Sequence, residues 1–338
     1  MSEENVTTTE KMESQIQALA ENARSYFGLS DEDKVTLINV SENMTYRIDR
    51  AGGEKLILRV HRDGYQSQET IMSEIAWMKA LQEDAGILTP QAVPGVDGKL
   101  LQRVSAPHID PRNCVLINWI DGEMPQETGE LSELLEPFTQ LGEINARLHQ
   151  HALAWRRPEF FTRQRWDFDG TIGDQPIWGR FLEGQGLTDG DKGLLKKCAD
   201  LIKIRLEKFG DSPNRFGLIH ADLRMANLLI HRGNIRVIDF DDCGLGWFLY
   251  DIGAALSFME DREDVPELVD AWVKGYLRVR PLSEEEIAEI PTFIMVRRLT
   301  LLGWAASRGK TGGLASELGV PFSKGTCKLA ESYLEKFQ

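Results

Sequence analysis

The sequence predicts an α+β protein of two lobes, a β-rich one followed by a mainly helical one, and three observations carry that prediction. Short runs of β-branched and alternating apolar residues, separated by turn signals, occupy Lys34 to Ile120. From Leu131 onward apolar residues recur three and four positions apart, the spacing of a helix that buries one face. The length of 338 residues suits one large or two moderate domains. The change of pattern places the boundary so that residues 1–118 form the first lobe and 119–338 the second.

Taken in order, Ile16, Leu19, Ala20, Ala23 and Phe27 recur at helical spacing and predict an amphipathic helix ending at Gly28. Lys34 to Val40, Met44 to Arg50 and Lys55 to His61 read as three strands, the last two joined by the tight-turn signal Ala51-Gly-Gly53. Gln66 to Leu81 reads as a helix with Ile71, Ile75 and Met78 on one stripe, and Leu100 to Val104 and Cys114 to Ile120 read as two further strands before the turn Asp121-Gly122. Later, the apolar run Phe216 to Ile219 precedes a loop, and the turn Arg232-Gly-Asn234 links the strands Asn227 to His231 and Ile235 to Ile238.

Composition narrows the function. The net charge of −14 disfavours nucleic-acid binding, which relies on Lys and Arg to neutralise phosphates. An acidic field would instead attract a cationic small molecule. No apolar run approaches the ~20 residues that span a bilayer, and Met1 to Gln17 lacks the basic start and apolar stretch of a secretion signal. Cys114, Cys198, Cys243 and Cys327 are scattered, which argues for reduced thiols in the cytoplasm and against a zinc site.

The chemistry is concentrated in Gly217-Leu-Ile-His-Ala-Asp-Leu-Arg-Met-Ala-Asn227 and Val237-Ile-Asp-Phe-Asp-Asp242. Moving a phosphoryl group asks the protein mainly to orient a hydroxyl nucleophile and to neutralise charge with Mg²⁺. Hard Mg²⁺ takes oxygen ligands, usually one or two carboxylates with phosphates and water. Asn227 and Asp239 offer such oxygens, and a hairpin between them brings them toward the same end of the strand pair. Asp222, on the loop five residues before Asn227, can aim or deprotonate an acceptor hydroxyl.

His220, Asp222 and Asn227 match the HxDxxxxN loop of the aminoglycoside phosphotransferase and choline kinase superfamily, which the chain therefore resembles; Ala221 stands where protein kinases carry Arg. The resemblance runs from about Leu37 to Ala255. It implies a protein-kinase-like fold, with Asp239-Phe240-Asp241 as the metal-binding segment, Asp241 as an assisting ligand, and His220 and Asp251 as braces of the catalytic loop. It further implies that Ser41, Asn43 and Thr45, on the loop Val40 to Tyr46, meet the nucleotide phosphates without glycine. Arg59 takes the place of the usual phosphate-holding Lys, with Glu74 as its helix partner and Glu69 as the fallback. Asn118, Trp119 and Ile120 would form the hinge that reads adenine. Arg297 to Arg308 is similar to the C-terminal region of the homoserine kinase type II-like and spectinomycin kinase-like branches.

His149 and His151, two positions apart, do not share a helix face and read as structural. Trp166-Asp-Phe-Asp169, Trp178 and the helix Met295 to Trp304 supply aromatics and charges that read mostly as core. Together these observations predict an ATP- and Mg²⁺-dependent kinase of a small-molecule hydroxyl in the cytoplasm, with ATP·Mg²⁺ in the cleft between the lobes. A Ser/Thr protein kinase of the same superfamily and a nucleotide-binding module without turnover stay open as alternatives.

Overall fold

The structure, a computed structural model, describes residues 16–40, 43–125, 129–309 and 314–338. The first fifteen residues and Ser41 therefore lie outside it. The chain divides into two compact units, one reaching to Gly122 and including Arg157–Thr162, the other comprising Glu123–Arg156 and Arg163–Gln338.

In the first unit, residues 16–27 form helix α1, whose Ile16, Leu19, Ala20, Ala23 and Phe27 are all buried, as the spacing predicted. Gly28 ends it with a left-handed φ of 64°, and the Leu29 amide turns back to the Arg24 carbonyl. Strands β1 (Lys34–Val40), β2 (Asn43–Asp49) and β3 (Lys55–His61) follow, then helix α2 (Gln68–Ala85). Strands β4 (Ala92–Val93), β5 (Leu101–Ala106) and β6 (Ile109–Asn118) complete an antiparallel sheet of order β1-β2-β3-β6-β4, with β5 also on β6. Because side chains alternate between sheet faces, Leu56, Leu58 and Val60 of β3 join Cys114 and Leu116 of β6 in a core shared with α1. Arg59, His61, Val115 and Ile117 point the other way, toward Ile71, Glu74, Ile75 and Met78 of α2, around a cavity of about 10 Å³. The sheet is thus covered by a helix on each face.

Among the strands that differ from the sequence reading, β2 and β6 bear on the candidate site. β2 begins at Asn43, so Thr45 and Tyr46 belong to the ladder and not to a phosphate loop, and Tyr46 is buried in the core. β6 begins at Ile109 because Pro111, which reads as a strand breaker, lies beside the irregularity between Val104 and Ala106, where the ladder already lacks regular pairing.

The second unit opens with α3 (Leu131–Ala154), then β7 (Arg165–Trp166), the short α4 (Phe168–Thr171) and α5 (Asp189–Phe209). Next come β8 (Phe216–Ile219), a 3₁₀ turn at Met225–Asn227, the hairpin β9 (Leu228–His231) and β10 (Asn234–Val237), and β11 (Gly244–Trp247). The helices α6 (Tyr250–Ala255), α7 (Val265–Tyr276), α8 (Glu284–Arg308) and α9 (Leu314–Phe337) finish the chain. α3 and α7 touch backbone to backbone: a Cβ at Gly142 would lie 1.9 Å from the Trp272 carbonyl oxygen, and one at Gly275 would lie 1.8 Å from that of Thr139. β8 pairs antiparallel with β11, Ile219 opposite Gly244. That register brings the loop after Ile219 and the loop before Gly244 out at one end of the small sheet.

Candidate active site

Asp251, fully buried at the start of α6, organises the loop that follows β8. Its Oδ1 accepts the Ala221 amide at 2.8 Å and its Oδ2 accepts the His220 amide at 3.3 Å. The same Oδ2 accepts Asn145 Nδ2 at 3.2 Å and His149 Nε2 at 3.0 Å. A buried carboxylate is costly unless its lone pairs are filled, and here four donors fill them. Ala221 is held with φ of 67°, an uncommon region for a residue with a Cβ. The Asp251 bond to its amide and an Arg297 Nη1 bond to its carbonyl at 3.0 Å keep it there. His220, also buried, accepts the Asp222 amide on Nδ1 at 3.3 Å and donates from Nε2 to the Ile238 carbonyl at 3.1 Å. These two bonds tie the loop to the segment that carries Asp239.

His149 continues the network away from the loop. With Nε2 donating to Asp251, Nδ1 accepts from the Tyr276 hydroxyl at 2.9 Å, and Arg280 Nη1 donates to that hydroxyl at 2.6 Å. Burial pushes the His149 pKa below its ordinary 6.5, outweighing the stabilising hydrogen bond and charge of Asp251. Since the folded state disfavours the proton, this contribution is fully present above about pH 6.5 and is lost as the pH falls below it. Tm is therefore expected to fall between pH 6.5 and 5 more steeply in the wild-type protein than in His149→Gln, which keeps a donor toward Asp251 but no longer titrates. Parallel Tm profiles for the two proteins would count against this.

Asp222 and Asn227 meet. Asn227 Nδ2 donates to the Asp222 carbonyl at 2.8 Å and to Asp222 Oδ2 at 3.0 Å. Both partners can only accept, so the amide orientation follows, and Asn227 Oδ1 is turned away from Asp222. In the hairpin, Arg232 and Gly233 take left-handed φ values of 52° and 77°, the two-residue turn that suits strand twist. Leu228 pairs with Val237, and the Ile238 amide continues the ladder to the Asn227 carbonyl at 3.0 Å. Asp239, exposed and with φ of 62°, follows directly, so Asn227 and Asp239 stand at the same end of the hairpin.

These oxygens suit Mg²⁺ in kind. Among the described residues no three His, Cys, Asp or Glu side chains gather into a metal cluster, so such an ion would complete its shell with nucleotide phosphates and water. Asp241, expected as an assisting ligand, lies on the same segment as Asp239. It is buried, its carbonyl is held by Arg163 Nη2, and Arg163 Nε donates to the Cys243 carbonyl at 2.6 Å. Trp166 Nε1 binds the neighbouring Asp242 carbonyl at 2.7 Å. Arg163 and Trp166 thus fasten the backbone of this segment, and Asn227, Asp239 and Asp241 remain the candidate metal donors.

In the first unit Arg59 Nη1 meets Glu74 Oε1 at 2.6 Å, with both side chains largely buried. Glu69, in the exposed first turn of α2, does not take that place. Thr45 is the direct cross-strand partner of Arg59 and shares its sheet face. Asn43 is buried, and its Oδ1 accepts the Arg62 amide at 3.3 Å. At the expected hinge, the Asn118 amide donates to Gln91 and its Oδ1 accepts the Gln91 amide at 2.6 Å, while the Trp119 amide reaches the Lys55 carbonyl at 3.4 Å. Strand pairing therefore engages two of the three amides expected at the hinge.

The match to known proteins is now decisive. A family model described as phosphotransferase enzyme family covers residues 34–287. The chain belongs to the phosphotransferase enzyme family. A solved structure described as the microcompartment-associated aminopropanol kinase is 39% identical to this phosphotransferase, with a TM-score of 0.85, covering 94% of this chain and 97% of that one. Amicoumacin kinase of Bacillus subtilis (strain 168) is 26% identical over 298 residues, 85% of this chain and 83% of its own. Spectinomycin phosphotransferase APH(9)-Ia, at 13% identity and a TM-score of 0.61 over 94% and 98% of the two chains, shares the fold. The phosphotransferase is accordingly an enzyme with the protein-kinase-like α+β fold that the loop motif implied.

Sequence reasoning missed Arg297 as a partner of this loop. Its Nη2 pairs with Asp222 Oδ1, and the guanidinium is buried. The available signal was a pair of arginines inside the apolar run Met295-Val-Arg-Arg-Leu-Thr-Leu-Leu302, where two charges must find buried partners. Trp166 and Trp178 are core, as expected, edge to face at 5.1 Å.

Proposed function

We propose that this phosphotransferase is an ATP- and Mg²⁺-dependent kinase of a small amino alcohol in the cytoplasm. The observation that carries the reading is the joined pair Asp222 and Asn227, with Asp239 at the same end of the hairpin. In that arrangement Asp222 aims the acceptor hydroxyl, while Asn227 and Asp239 supply the protein oxygens for Mg²⁺. When bound, Mg²⁺ neutralises the phosphate charge that develops during transfer. Arg59, held by Glu74, grips phosphate oxygens of the nucleotide; its guanidinium keeps its charge and offers two donors at once. Identity of 39% to an aminopropanol kinase supports an amino alcohol acceptor, and the acidic surface favours the approach of its ammonium group.

The test is ADP release measured with 1-aminopropan-2-ol, ethanolamine, choline, homoserine, an aminoglycoside and generic protein substrates. Turnover is expected on a small amino alcohol. Preference for a protein substrate would favour a Ser/Thr protein kinase, and ATP binding without transfer to any acceptor would favour a module without turnover. Arg59→Ala is expected to raise the Kd for ATP by about 10–100-fold, the worth of a charged hydrogen bond of about 1.5–3 kcal/mol. Unchanged ATP affinity by calorimetry would remove Arg59 from the nucleotide site.

A further inference from the structure

We propose that Arg297 is a positioning residue for Asp222, fixing the carboxylate through which the acceptor hydroxyl is aimed. This rests on the role given to Asp222 above. The Arg297 side chain is 1% exposed, yet its hydrogen bonds converge on the catalytic loop and its immediate support. Nη2 meets Asp222 Oδ1, Nη1 donates to the Ala221 carbonyl at 3.0 Å and lies 3.4 Å from the Tyr250 hydroxyl, and Nε donates to Ser257 Oγ at 2.9 Å. The guanidinium also lies over the Trp178 ring, 4.9 Å from its centroid.

The base of the side chain is as constrained as its tip. A Cβ at Gly253 would fall 2.6 Å from the Phe293 carbonyl oxygen and 3.0 Å from Arg297 Cβ, so α6 and α8 touch where Arg297 leaves its helix. With Oδ1 held by Arg297 and Oδ2 by Asn227, the plane of the Asp222 carboxylate is determined from both ends. Each carboxylate oxygen keeps a second lone pair with which to meet an incoming hydroxyl, and Arg224 Nε lies 3.9 Å from Oδ2. The neighbouring Arg298 has no such connection: it pairs with buried Glu260 at 2.7 Å and donates to Thr326 Oγ1 at 2.9 Å, joining α8 to α9. Two adjacent buried arginines thus serve different purposes, and the second is a natural control for loss of a buried guanidinium.

A misplacement of about 1 Å near reacting groups costs roughly 100-fold in rate. Arg297→Met is therefore expected to lower kcat by about that factor with the KM for ATP little changed. Arg298→Met should lower Tm while kcat stays near wild type. Arg297→Lys should recover only part of the loss, because one ammonium cannot span Asp222, Ala221 and Ser257 together, whereas guanidinium added to Arg297→Ala should restore turnover. The deciding comparison is a double-mutant cycle with Asp222→Asn. If Arg297 acts through Asp222, the double variant has the kcat of Asp222→Asn alone, and its Tm exceeds that of Asp222→Asn because the unpaired buried cation is gone. Rate losses that multiply, Tm changes that add, or wild-type kcat in Arg297→Met overturn the proposal. The Tm cycle needs no acceptor, so a wild-type protein inactive on every amino alcohol would refute the substrate reading while leaving the ion pair to be judged separately.

Discussion

Asp222→Asn is expected to lower kcat by about 10²–10⁴-fold, the range for a positioned group that accepts or aims a proton, while ATP affinity changes little. The amide keeps an oxygen but loses the charge and presents a donor where the carboxylate had only acceptors. Asp222 does not hold the nucleotide in the proposed arrangement, so calorimetric titration with ATP·Mg²⁺ should give nearly the wild-type Kd. Asp239→Asn should behave in the opposite way, weakening nucleotide binding chiefly when Mg²⁺ is present. The Asp222 variant should also melt earlier, since Arg297 would then be a buried guanidinium facing a neutral group. Turnover at the wild-type rate in Asp222→Asn would end its assignment as the acceptor-orienting residue.

The parts of this molecule that were readable in the sequence are those governed by local rules. The N-terminal helix ends at Gly28, and β1, β3 and β8 begin and end where period and turn chemistry place them, because each carries its own hydrophobic pattern. The pairing of Arg59 with Glu74 was readable because a strand residue and a residue of the following helix lie close in the chain and a family pattern links them. What could not be read depends on pairings made elsewhere. The engagement of the Asn118 amide requires the two-residue strand Ala92–Val93 and the adjoining Gln91, too short a stretch to show a period. Arg297 lies 75 positions from Asp222 and inside an apolar helix, so nothing local distinguishes it from Arg298, whose partners lie on other elements. Asp241 sits two residues from Asp239 and looks equivalent to it, and the grip of Arg163 on its carbonyl comes from a residue 78 positions away.

Asp251→Ala is expected to be the most destabilising single change near the site. The substitution removes one acceptor group and leaves four donors without it: the amides of His220 and Ala221, Asn145 Nδ2 and His149 Nε2. An unsatisfied buried donor costs about 1–3 kcal/mol, and neighbours in one network do not add simply, so a loss of about 3 kcal/mol or more is expected. At about 2–4 °C per kcal/mol for a domain of this size, Tm should fall by about 10 °C. Asp251→Asn should fall between wild type and alanine, since one oxygen remains while its NH₂ faces donors. The loss has a functional side because the left-handed turn at Ala221 is held by the same carboxylate. Once that hold is gone, Asp222 and Asn227 lose their common frame, and kcat should fall even at temperatures where the protein remains folded. Hydrogen exchange at the Ala221 amide gives an independent reading: it should speed up in Asp251→Ala well before global unfolding. A variant that melts within 2 °C of wild type, with that amide still protected, would show that Asp251 is not what fixes the loop.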